Sequence, residues 1–171
     1  MSAVHLVRRF FGTLWPAGPR PAKDRWARSL LLDGEQRLWG RMSRPDRRHA
    51  VAVAHRAAHR LGERATRPVL AAALLHDVGK IDARLGAYGR VVATVSRMAA
   101  GRDTAYAWSE TRGFTRRVGL YLRHAELGAD MLALAGSDPF TVTWAREHHL
   151  PEEEWTVDVE VGRALKSADG D

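Results

Sequence analysis

The chain has 171 residues and a mass of 19.0 kDa, the size of one domain that buries roughly two-thirds of its unfolded surface. With 45% hydrophobic and 27% charged residues it is composed as a globular protein, and its lack of cysteine excludes disulfides, iron–sulfur clusters and zinc–thiolate sites. The net charge of +7 resides in residues 1–50, where 11 Lys/Arg face 4 Asp/Glu, whereas residues 51–171 hold 16 of each. In chain order, Val4, Val7, Phe11 and Leu14 recur at helical spacing beside Arg8 and Arg9. This pattern predicts a basic amphipathic helix that docks on its own domain or lies on an anionic membrane surface. Arginine within the apolar stretch argues against a secretory signal. The longest apolar run, residues 69–75, is far short of the roughly 20 residues a membrane span needs. Pro16, Gly18, Pro19 and Pro21 mark a linker, which divides a 1–21 extension from a domain over 22–171.

Within that domain nearly everything reads as helix, so the expected fold is all-α. Short helices are predicted near 22–32 and 34–42. Ser43 as cap with Pro45 starts a longer one to Leu61. Thr66 and Pro68 start the next, which runs through VLAAALLHD to Gly79. Further helices are expected over 87–99, 103–110, 114–122 and 125–135. Ser137 with Pro139 opens one ending at His148, and Asp158 caps a last one ending near Asp169.

Five positions can carry chemistry: His49, the pair His76–Asp77, His124, the pair His148–His149, and Asp169. Without cysteine, any metal must be held by imidazole and carboxylate. An adjacent His and Asp can both turn inward, the carboxylate bridging two cations and the imidazole binding one. Each position also has a plain structural reading: His124 starts a helix, His148 and His149 are cations at a helix C-terminus, and Asp169 lies near the chain end. In the helix from Ser43, Ala50, Val53, Ala54, Ala57 and Leu61 form the buried stripe, and His49 flanks it. His55 and His59 fall on the far side among Arg56 and Arg60 and read as surface; His5 has no partner. The six Trp are scattered and read as core rather than as base-stacking platforms.

The phrases RRHAVAVAHRA, LAAALLHDVGKID, RHAELGADML, REHHLPEEEW and ALKSAD occur in an order that resembles the HD-domain metal-dependent phosphohydrolase superfamily over about residues 43–171. The order H…HD…H…HH…D looks most like its binuclear, HD-GYP-type branch. The glycine-tyrosine-proline signature is missing, since Leu150, Pro151 and a Glu run follow the double His. The interval from Asp77 to His124 is long for the family, and its insert, about 84–112, is expected to shape the substrate entrance. The resemblance implies that His49, His76, Asp77 and Asp169 hold one divalent metal and Asp77, His124, His148 and His149 a second, with Asp77 bridging. Mn, Fe or Mg suits such ligands. Two cations can share a hydroxide and clamp an in-line displacement at phosphorus. Lys80 would face developing phosphoryl charge, and Arg47 or Arg48 a second phosphate of the substrate; Lys80 also reads as a cation placed at a helix C-terminus. The expected activity is hydrolysis of a phosphomonoester or phosphodiester, on a nucleotide, in the cytoplasm or at a membrane surface. Two alternatives stand beside it: an HD-type di-iron oxygenase, and a module whose basic residues 1–50 grip nucleic acid or lipid while the site is vestigial.

Overall fold

The computed structural model describes residues 18–85, 89, 93 and 101–170, and these are helical with no strand among them. The helices are α1 (Pro21–Ser29), α2 (Asp33–Arg41), α3 (Arg44–Leu61), α4 (Arg67–Leu75), α5 (Lys80–Ala83), α6 (Arg102–Ser109), α7 (Gly113–Leu122), α8 (His124–Leu134), α9 (Pro139–Glu147) and α10 (Val159–Asp169). None of the described helices is long and apolar enough to cross a membrane. The proposed N-terminal amphipathic helix lies outside the described residues, as does most of the helix expected over 87–99.

Helix α4 is the centre. Its residues from Val69 to Leu75 are all buried, as expected of a helix apolar on every side. It packs against α3 and α9, α10 lies on α3, and α8 on α9. Ala50, Val53, Ala54 and Ala57 face this core as their spacing requires, with Val51 added and Leu61 at the margin. A smaller apolar cluster of Ala83, Leu85, Ala93, Val118 and Leu120 holds α5 and α7 together. The described Trp residues serve packing: Trp39 and Trp144 are buried, and Trp26, Trp108 and Trp155 are half-buried.

Helix ends follow short-range chemistry. Ser43 Oγ accepts from the Asp46 amide at 3.3 Å, and Asp158 Oδ1 from the Val161 amide at 3.0 Å. The cap of α9 is Asp138 rather than Ser137, with Oδ1 2.9 Å from the Phe140 amide. Pro139 occupies the first helical position, so the residue just before it is the cap. The first helix ends at Ser29 rather than near 32, and the run from Thr66 ends at Leu75 instead of Gly79. Residues 76–79 form turns with i→i−3 bonds, Val78 N to Leu75 O at 2.9 Å and Lys80 N to Asp77 O at 3.1 Å. That break swings the His-Asp pair off the apolar helix.

Candidate metal centre

The seven side chains expected as ligands, spread over 120 residues of sequence, meet at the C-terminal end of α4. One group comprises His49, His76 and Asp77, and a second Asp77, His124, His148 and His149; within each group the ligand atoms lie within 4.8 Å of one another. Asp169 completes the first. Its Oδ1 accepts from His49 Nε2 at 2.6 Å and lies 3.6 Å from His76 Nε2. Asp77 faces both groups, with Oδ2 3.4 Å from His76 Nε2 and Oδ1 3.3 Å from His124 Nε2 and 3.9 Å from His148 Nε2.

Three imidazoles are aimed by one repeated device. His76, His124 and His148 each donate Nδ1–H to the carbonyl three residues before: Ala73 at 3.0 Å, Tyr121 at 2.6 Å and Ala145 at 2.8 Å. Nδ1 is thereby fixed as a proton donor to the backbone, and Nε2 is turned toward Asp77, where in its deprotonated form it can bind a cation. His76 Nε2 and His148 Nε2 are buried and accept no hydrogen bond, an arrangement that is costly unless something else fills it. His149 Nε2 and His124 Nε2 are 3.0 Å apart, close to the separation of neighbouring ligands on bonds of about 2.1 Å at right angles. Buried imidazole and carboxylate so placed can hold a metal ion.

Close backbone packing brings the groups together. A Cβ on Gly79 would sit 2.0 Å from the His124 carbonyl oxygen and 2.7 Å from the Gly128 amide nitrogen, and one on Gly128 would sit 3.0 Å from Gly79 N. The turn carrying Asp77 can reach the start of α8 only because both positions lack a side chain. Contacts that the sequence analysis missed hold the remaining ligands. Buried Glu147 accepts from Thr156 N at 2.8 Å and Thr156 Oγ1 at 2.6 Å, folding the 150–157 segment against the double His. Lys166 Nζ donates to the His148 carbonyl at 2.7 Å, and Arg56 Nε to the Ala168 carbonyl at 2.6 Å. Lys166 and Asp169 lie one turn apart on α10, which touches both groups. The Glu before the double His was a visible signal, but its partner lies nine residues on.

Charge is distributed unevenly. Burial pushes the His76 imidazole down, but the Asp77 and Asp169 carboxylates outweigh it and raise the group from 6.5 to about 9. Burial raises Asp77 and Asp169, yet both are held below the usual carboxylate range, Asp77 chiefly by Lys80 and His76 and Asp169 by its His49 hydrogen bond and His76. Burial lowers His124, and burial together with the neighbouring His76 charge takes His148 well below 6.5.

Lys80 Nζ sits 2.5 Å from Asp77 Oδ2 and 5.6 Å from the centroid of the Tyr121 ring, itself 5.5 Å from the His124 ring. Burial lowers Lys80, but Asp77, Tyr121 and Asp46 more than offset it. It opens the four-residue α5, five residues beyond the end of α4. Arg47 turns elsewhere: its Nη1 lies 3.4 Å from Asp24 Oδ1, the same oxygen that accepts from Trp39 Nε1 at 3.0 Å. It thus pairs with the α1–α2 side of the core. Arg48 is half-buried one residue before His49. His55 and His59 are exposed, and His55 stacks on Trp26 with centroids 4.0 Å apart. No protein-family model matches the chain, and no curated protein or solved structure does either.

Proposed function

We propose that this protein is a metal-dependent phosphohydrolase of the HD type, cleaving a phosphomonoester or phosphodiester bond of a nucleotide, and that it works in the cytoplasm where nucleotides are met. The observation that carries this reading is the pair of ligand groups meeting on Asp77, with the buried Nε2 atoms of His76 and His148 lacking any hydrogen-bond partner. His49, His76, Asp77 and Asp169 would hold one divalent cation, and Asp77, His124, His148 and His149 the other. Mn, Fe and Mg accept such nitrogen and oxygen ligands. When bound, the cations would supply activation of water and stabilisation of charge at phosphorus, so no serine or cysteine nucleophile is needed.

The chain's own groups divide the remaining work. Asp77 presents one oxygen to each half. Lys80 keeps an ammonium at the Asp77 edge, from which it can turn to a phosphoryl oxygen of the substrate. The three backbone-tethered imidazoles keep their Nε2 atoms fixed, so no ligand must reorganise during turnover. Arg48 adjoins His49 and is the arginine of the RRH phrase that we assign to a second substrate phosphate; Arg47 is committed to Asp24.

The test is phosphate release from a panel of nucleotides and cyclic dinucleotides with added Mn, for the parent chain and for Asp77→Ala. Release by the parent and its loss in the variant are expected. Equal release by both would overturn the mechanism. Metal binding with iron-dependent dioxygen uptake but no phosphate release would point to the oxygenase, and absence of bound metal to a binding module.

A further inference from the structure

The C-terminal two-thirds of the sequence is neutral in sum, but its charge is not evenly spread. Residues 84–117 contain seven Arg, no Lys and two acids, Asp103 and Glu110, and the stretch from 86 to 100 contains no carboxylate. The fold gathers part of this excess in one place. Arg84, Arg116 and Arg117 line a cleft of about 590 Å³ between α5 and α7, together with Asp82, Gly113 and Leu120. Asp82 is the only acid among the described lining residues, and Arg41 already lies 3.5 Å from it. Arg84 and Arg116 make no ion pair with any described residue.

Two local features hold guanidinium groups at this cleft. Arg117 Nε donates to the Ala83 carbonyl at 3.1 Å, which fixes the side chain over the end of α5 while its terminal nitrogens remain available. Arg84 caps α5 in the left-handed region, with φ of 47°, the one described non-glycine residue at positive φ. Glycine is the ordinary occupant of such a cap, and an arginine there gives up backbone ease for a side chain at the cleft. Three guanidinium groups around a concavity repel one another unless an anion sits among them. Their planar donor forks match phosphate oxygens pairwise.

We propose that this cleft is a binding site for a small ligand carrying two or more phosphates. Its volume falls in the range of small-molecule pockets rather than that of an extended nucleic-acid track. The proposal does not rest on the metal centre, which uses none of these residues. Inorganic tripolyphosphate is a suitable probe, titrated calorimetrically into the full chain in metal-free buffer at low and at high salt. One equivalent is expected to bind, more weakly at high salt. The double variant Arg84→Gln/Arg116→Gln, which leaves the Arg117 bond to Ala83 in place, is expected to weaken binding tenfold or more. Arg163→Gln, an exposed arginine paired with Glu152, is expected to change nothing. Unchanged affinity in the double variant would overturn the assignment. So would loss of binding in Lys80→Gln, which would place the probe at the metal centre, or tighter binding of a single-stranded oligonucleotide, which would make the face a nucleic-acid surface. If the double variant unfolds, Arg116→Gln alone must show at least a threefold loss, and no loss there also overturns it.

Discussion

The two halves of the centre share Asp77 yet are built on opposite electrostatic plans. The half on α3, α4 and α10 carries Asp169, whose oxygen bonds His49 and neighbours His76, and His76 holds its proton up to about 9. The half on α8 and α9 has no carboxylate besides Asp77 among the described ligand residues, and burial holds the His124 imidazole below 6.5 and the His148 imidazole well below it. The first half is therefore satisfied by internal ion pairing and must release a proton to take a cation. The second is deprotonated in advance. Two sites a few ångströms apart can thus differ in their linkage to pH while using nearly the same ligands.

The largest expected effect abolishes the comparison by removing what the halves share. Asp77→Ala should cost about three orders of magnitude or more in phosphate release and remove metal from both halves, as elemental analysis would show. Gly79→Ala should separate them instead, because the added methyl meets the His124 carbonyl oxygen at 2.0 Å. We expect about 2 to 3 kcal/mol of destabilisation, a drop of roughly 5 to 10 °C in Tm, where Gly→Ala at an unhindered position would stabilise.

Single-half variants sharpen the contrast. Asp169→Asn should lower metal content by about one equivalent while the α8–α9 half remains loaded. Lys166→Met, which removes the donor to the His148 carbonyl, should weaken the other half, with recovery in Lys166→Arg. Loss of both equivalents in either variant would show that the halves do not load separately. The pH dependence distinguishes the halves without mutation. In chelator-treated protein, the stability from His76, raised above its unfolded value, is complete below pH 6.5 and is lost as pH rises through about 9. His124 and His148, lowered by burial, act in the opposite sense: stability falls as pH drops below 6.5, where the unfolded chain takes up protons that the fold refuses. Thermal unfolding across this range should therefore show loss at both ends. The smallest effect belongs to His59→Ala on the exposed face of α3, within about 0.5 kcal/mol of the parent and with unchanged metal content.

Much of the helical fold was legible because its signals are local: the 3.6-residue stripe of α3, the all-apolar α4, and Ser43 and Asp158 as caps. Where a local rule was misplaced, as with Ser137 for Asp138, the position of proline decided the outcome. The candidate ligands were legible as residue types at helix boundaries and by their order, not by any spacing that reports distance. His49 meets Asp169 across 120 positions, and no periodicity encodes that pairing. The supports were hidden for the same reason. Gly79 reads as a helix stop, yet its φ of −63° is ordinary and what it provides is close approach to α8. Arg56 shares the face of exposed arginines, yet its Nε reaches the Ala168 carbonyl and steadies the chain end that carries Asp169. Arg47 looked equivalent to Arg48 in sequence, and the turn of one helical residue sends it to Asp24.

The central claim is that buried imidazole and carboxylate on both sides of Asp77 form a metal centre. Its most direct test is the metal content of purified chain incubated with Mn and then desalted, measured beside Asp77→Ala. About two equivalents are expected in the parent and fewer than one in the variant. A parent that retains none, or a variant that retains as much as the parent, would contradict it.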